Sequence, residues 1–134
     1  MIGLDTNVLV RYLAQDDNTQ SAIATRLIEK ELSAVKPGFI SLVVLVELFW
    51  VLKRLYSATE VELLDTVADL LASSGFQMES RAVVQASVLR MRAQKGKIGF
   101  TDLLIVAIAE AQGCSHTVSF DKIAVRSAGM HRLV

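Results

Sequence analysis

Short apolar runs alternate with longer helical patterns along the whole chain, and this alternation constrains the fold more than any other feature. Ile2-Gly3-Leu4, Phe39-Ile40, Phe76-Gln77-Met78 and residues 116–120 read as strands, with residues 131–134 as a last one. Residues 6–13, 19–32, 42–56, 60–72, 81–94, 102–112 and 121–126 read as helices between them. Local stop and start signals support these boundaries. Asp16-Asp17-Asn18 caps the second helix, and Ser41 the third. Thr59 with Glu62 has the spacing of a capping box, Thr101 starts the helix of residues 102–112, and Gly113 stops it. Residues 95–99 read as a loop. Such alternation predicts an α/β fold with a parallel sheet covered by helices on both faces. In that class ligands bind beyond the carboxyl ends of the strands.

The chain of 134 residues has the length of one domain and predicts a single unit over 1–134. It has one proline, and neither a repeat nor a low-complexity tract marks a linker. Its residues are 52% hydrophobic and its net charge at pH 7 is zero. That combination favours association, so apolar surface covered by a second copy or a partner is expected. The one cysteine, Cys114, cannot close an internal disulfide, which fits a reducing compartment. The first residues carry no basic or cleavable leader, and the apolar stretch 38–52 is too short to span a bilayer. A cytoplasmic protein without membrane contact is the expectation.

Four acids stand where the sheet rule places ligands. Asp5 follows the first strand and Asp121 the fourth. Ser41 follows the second strand and opens the helix that carries Glu47 about a turn and a half further on. Asp102 begins a helix that runs back toward the strands. Each has a structural alternative: Asp5 and Asp121 can cap helices, and Asp102 can oppose a helix dipole. Glu47 interrupts Leu42-Val43-Val44-Leu45-Val46-Glu47-Leu48-Phe49-Trp50-Val51-Leu52, a run that reads as apolar all round and buried on most sides. A carboxylate there has to reach solvent, pair with a cation such as Arg54, or face a metal. Crowded carboxylates repel unless a proton or cation sits among them. Mg²⁺ or Mn²⁺ takes oxygen ligands, polarises phosphoryl oxygens and activates water, which is the chemistry that phosphodiester hydrolysis needs.

Other chemistries fit less well. No phosphate-binding glycine loop is present, and His116 and His131 read as lone strand-end residues rather than zinc ligands. Charge is uneven: residues 57–80 carry five acids and no Lys or Arg, whereas Arg81, Arg90, Arg92, Lys95 and Lys97 follow closely, with Lys122 later. Arg90, Arg92, Lys95, Lys97 and Lys122 are candidate contacts to an RNA backbone, with a solvated helix face as the plainer alternative. Two rival classes stay open. One is a receiver-type phosphoacceptor, against which Asp16-Asp17 stands a whole helix past the first strand. The other is a non-catalytic metal- or partner-binding module.

The motifs Leu4-Asp5-Thr6-Asn7-Val8-Leu9, Ile40-Ser41-Leu42-Val43-Val44-Leu45-Val46-Glu47-Leu48, Phe100-Thr101-Asp102-Leu103-Leu104-Ile105 and Thr117-Val118-Ser119-Phe120-Asp121, in this order, resemble the PIN-domain family. More narrowly they resemble the VapC-type toxins of toxin–antitoxin pairs. The resemblance implies a three-layer α/β/α fold whose parallel sheet has five strands in the order 3-2-1-4-5. It implies a Mg²⁺- or Mn²⁺-dependent endoribonuclease with Asp5, Glu47, Asp102 and Asp121 as the acidic quartet. Thr6, Asn7 and Ser119 fall on supporting polar positions, with Ser41 beside them at the start of the Glu47 helix. It also implies a homodimer and a small antitoxin that covers the site. Many relatives carry a further acid three residues before the third aspartate, where this chain has Gly99.

Overall fold

The computed structural model describes residues 1–94 and 99–134. The chain falls into two compact units, Met1–Arg81 and Ala82–Val134.

The first unit holds β1 (Ile2–Gly3), α1 (Thr6–Ala14), α2 (Asn18–Arg26), β2 (Gly38–Ile40), α3 (Leu42–Leu55), α4 (Glu60–Ala72) and β3 (Phe76–Met78). Its strands form one parallel sheet in the order β1-β2-β3, with Ile2 opposite Gly38 and Gly38 opposite Phe76. The backbone of β2 passes close under two side chains, so a Cβ on Gly38 would sit 2.7 Å from Leu4 Cδ1 and 2.8 Å from Leu32 Cδ1. Leu9, Ile40, Leu45, Leu48, Leu63 and Val67 are fully buried and form the core of this unit. The caps act as their residue types require: Ser41 Oγ accepts from Val44 N, and Thr59 and Glu62 close a reciprocal capping box. Two expectations change here. The second helix does not run regularly to residue 32; its last turn widens into a π-helix, Leu27–Glu31, closed by Leu32 N–H donating to the Leu27 carbonyl. And α3 is not buried on most sides. Leu45, Leu48, Phe49 and Leu52 face the core, while Val43, Glu47, Trp50 and Leu55 are exposed. Uniform apolarity in the sequence hides which stripe the neighbouring helices α1 and α4 cover.

The second unit holds α5 (Arg81–Ala93), which begins at the junction, α6 (Phe100–Ala111), β4 (Val118–Ser119), α7 (Lys122–Ala128) and β5 (His131–Arg132). β4 and β5 form a second parallel sheet, Val118 opposite His131. Val84, Met91, Phe100, Leu103, Leu104 and Ala128 are its most buried side chains. The helix expected from Asp102 begins two residues earlier, at the buried Phe100, with Gly99 in the cap position. Gly113 ends the helix region with φ +93°, a conformation that favours glycine. His116 and His131 are not lone: their rings stack 4.4 Å apart at 15°, His116 standing two residues before Val118, which pairs with His131 across the parallel β4–β5 ladder.

The α/β class with parallel strands therefore holds. The strands pair as two parallel sheets of three and two, and the pairings 3-2-1 and 4-5 match expectation. A single five-stranded sheet is not what the hydrogen bonds form; β1 and β4, two residues each, make ladders with β2 and β5 respectively. Among the described residues no helix is long and apolar enough to cross a membrane.

Candidate active site

The carboxyl end of β1 turns directly into α1, and Asp5 occupies the junction. Its Oδ1 accepts from Thr6 N at 2.8 Å, so the side chain caps the helix with one oxygen. Thr6 follows it, 6% exposed, and its Oγ1 is buried without a hydrogen-bond partner among the described residues. The carboxyl end of β2 turns in the same way into α3 through the Ser41 cap, and the N-terminus of α3 is closed further by Glu79, whose Oε1 accepts from Leu42 N. From that start the helix carries Glu47 to an exposed position, where it has neither a hydrogen bond nor an ion pair among the described residues. Arg54, the sequence's nearest candidate partner for it, instead lies over the Trp50 ring at 4.9 Å.

Asp5 and Glu47 line one cleft of about 270 Å³, together with Thr6, Asn7, Arg11 and Tyr56 and the apolar Val10, Val51 and Leu55. Glu47, Val51 and Leu55 reach it because they are four residues apart on α3; Asn7 and Arg11 do so on α1. The donor set suits a hard divalent cation. Two carboxylates and a hydroxyl, the Glu47 carboxylate and the Thr6 hydroxyl without a partner among the described residues, are oxygen groups of the kind that hold Mg²⁺ while it keeps several waters. Among the described residues no group of three or more His, Cys, Asp or Glu side chains is gathered as a ligand shell.

The other half of the expected quartet lies in the second unit. Asp102 is half-buried in the first turn of α6, where the helix dipole favours a carboxylate. Asp121 caps α7, its Oδ1 accepting from Ile123 N at 2.8 Å and Ala124 N at 3.3 Å. Ser119 supports that turn by accepting from Asp121 N through Oγ. Arg90 and Arg92 are exposed in the last turn of α5, and Lys122 is exposed at the start of α7. Lys95 and Lys97 lie outside the described residues.

A network missed by the sequence reading borders the Asp5–Glu47 cleft. Gln15, at φ 55°, turns the chain after α1 so that Asp16 folds back onto Arg11, with Arg11 Nη1 to Asp16 Oδ1 at 3.2 Å. Tyr56 donates its hydroxyl to Asp16 Oδ2 at 2.7 Å, and Arg11 Nε donates to Gln20 Oε1 at 2.7 Å. The Tyr56 bond, then Arg11, holds the Asp16 carboxyl below its ordinary range, and the same bond raises the Tyr56 phenol.

Both tyrosines are expected to titrate above the ordinary 10.0 in the folded chain: Tyr12 through burial and then the Glu29 carboxylate beside it, Tyr56 through its bond to Asp16. The sign follows from linkage. A raised phenol favours the folded state fully below its unfolded value, and the contribution is lost as pH rises through the folded value. The lowered Asp16 contributes above its unfolded value and loses that contribution as pH falls through the folded one. Phenolate absorbance during a pH titration checks this; a tyrosine of the folded protein ionising at or below 10.0 contradicts it.

Compared with known proteins, the chain matches a family model, that of the PIN domain, over residues 2–129. No curated protein matches it.

Proposed function

We propose a function from one premise, that this chain belongs to the PIN-domain family: it is a divalent-metal-dependent endoribonuclease that hydrolyses RNA phosphodiester bonds. The observation that carries the reading is the cleft on which Asp5 lies together with Glu47, which has no partner among the described residues. A carboxylate left without a partner on a cleft already holding another carboxylate is a poor structural device and a good cation ligand.

In this reading Asp5, Glu47, Asp102 and Asp121 form the acidic site. Thr6, Asn7, Ser41 and Ser119 support it, and Arg90, Arg92, Lys95, Lys97 and Lys122 contact RNA. A bound Mg²⁺ or Mn²⁺ supplies Lewis acidity toward a phosphoryl oxygen and lowers the pKa of water. The chain's own part is positional. The Asp5 carboxylate is fixed by the Thr6 N–H, so one oxygen is oriented without mobile side-chain torsion. Glu47 stands on a helix whose buried stripe, Leu45, Leu48 and Leu52, holds its backbone in place. Asn7 offers the cleft an amide able to donate to a phosphate or accept from water.

The finer reading is a VapC-type toxin: a single PIN-like domain over 1–134 with a three-layer α/β/α fold, cytoplasmic, homodimeric and inhibited by a small antitoxin. The exposed Val43, Trp50 and Leu55 on α3 favour a protein partner. They also support the second reading, a binding module without catalysis.

The test is incubation of the whole chain with mixed cellular RNA in Mn²⁺, in Mg²⁺ and in EDTA. Endonucleolytic products with either metal and none in EDTA are expected. Intact RNA in all three, with the chain folded, refutes the ribonuclease and leaves the binding module.

A further inference from the structure

The charge in the Asp5–Glu47 cleft does not close with a metal alone. Two carboxylates balance one divalent cation, and an RNA phosphate entering beside them brings a further negative charge. Among the described residues that line this cleft, Arg11 is the one cationic side chain. Its guanidinium is also oriented: Nε donates to Gln20 Oε1 and Nη1 to Asp16 Oδ1, which leaves other N–H donors of the planar fork for a ligand. Resting on the ribonuclease reading, we propose that Arg11 binds a phosphate of the RNA backbone at the cleft, and that Asp16 and Tyr56 are positioning residues that aim it.

Three features support the assignment. The side chains of Arg11 and Asp16 are 32% and 45% exposed, so their ion pair is solvent-screened and weak, and a phosphate can share the guanidinium without breaking a costly bond. Asp16 is held from its other side by the Tyr56 hydroxyl, and Tyr56 itself lines the cleft, so the aim of Arg11 is set from both α1 and the end of α3. A guanidinium grips a phosphate in two parallel hydrogen bonds, which fixes orientation as well as charge. The contact is to the backbone and reads no base.

The experiment measures binding of a short, mixed-sequence, fluorescein-labelled single-stranded RNA by anisotropy. It uses the whole chain in EDTA, so that nothing is cleaved, across a salt series. Arg11→Ala is expected to weaken binding about tenfold and to lower the slope of log affinity against log salt by ~0.7, the release expected for one phosphate contact on a single strand. Arg11→Lys, which keeps the charge and loses the fork, recovers part of the affinity and most of the slope. Tyr56→Phe weakens binding by a few-fold with the slope unchanged. In Mn²⁺, Arg11→Ala raises KM for cleavage while kcat stays within about threefold, the pattern of binding lost equally from ground and transition states. Thermal melting accompanies each variant. If the wild-type chain binds RNA and Arg11→Ala binds equally with the same slope, the Arg11 assignment alone is overturned. If Arg11→Lys is as weak as Arg11→Ala and both melt lower, Arg11 is structural and the assignment is again overturned. If the wild-type chain neither binds nor cuts RNA, the ribonuclease reading falls and takes this one with it.

Discussion

Replacing Glu47 with Gln is expected to lower Mn²⁺-dependent RNA cleavage by roughly a thousandfold, at about 1.36 kcal/mol for each factor of ten. The amide matches the carboxylate in size and keeps its place on α3, but it brings no charge to a cation. Charge stabilisation by a bound metal supplies several kcal/mol to such a transition state. Glu47 is exposed and has no partner among the described residues, so the exchange removes no packing and no protein hydrogen bond. Stability without metal should therefore stay within about 0.5 kcal/mol of wild type. Added Mn²⁺ separates the two proteins: at a hundred times its Kd it stabilises the wild type by about 2.7 kcal/mol, and the variant by much less. Asp5→Asn should behave alike, since the Asn side chain still caps α1 through its carbonyl oxygen. A Glu47→Gln protein that melts normally, gains as much from Mn²⁺ and still cuts RNA would remove Glu47 from the site. Asp102→Asn, taken through the same two measurements, asks whether the second unit contributes a ligand.

The largest loss of stability is expected from Leu45→Ala, two residues before Glu47. Leu45 is 0% exposed and lies on the α3 stripe with Leu48, Phe49 and Leu52. Truncating a fully buried leucine loses its transfer energy and leaves a cavity, together about 3 kcal/mol. That is a large part of the ~5–15 kcal/mol that stabilises an ordinary domain. Val43, two residues earlier, is 77% exposed, and Val43→Ala should change stability by no more than about 0.5 kcal/mol. Urea unfolding of the two variants gives the comparison directly. Equal losses would mean that α3 is covered on both sides, as its uniformly apolar sequence first suggests.

Where local chemistry decides, the sequence was readable. A serine, threonine or aspartate before a helical pattern satisfies a free backbone N–H whatever the rest of the chain does. Ser41, Asp17, Thr59 with Glu62, and Asp121 are accordingly found capping the helices expected of them. The same applies to the strand at Phe76–Met78 and to the glycine stop at Gly113. Asp5 and Glu47 were legible as candidates because each stands in a short motif at a fixed distance from a strand end. Their sharing of one cleft follows from two parallel strands that both turn into helices at the same sheet edge.

What the sequence could not decide depends on which surfaces meet. In α3 nearly every position is apolar, so periodicity carries no phase, and only packing by α1 and α4 shows that Leu45 is inside and Val43, Glu47 and Trp50 outside. Arg11 reads as an ordinary cation in the last turn of a helix until the left-handed Gln15 folds Asp16 back onto it and Tyr56 arrives from forty residues away. His116 and His131 read as isolated until strand pairing stacks them. Caps, stops and strand-end acids are short-range and were determined by sequence alone. The exposed face of α3, the Arg11–Asp16–Tyr56 network and the histidine pair join residues distant in sequence, and long-range packing, which no local preference encodes, decided them.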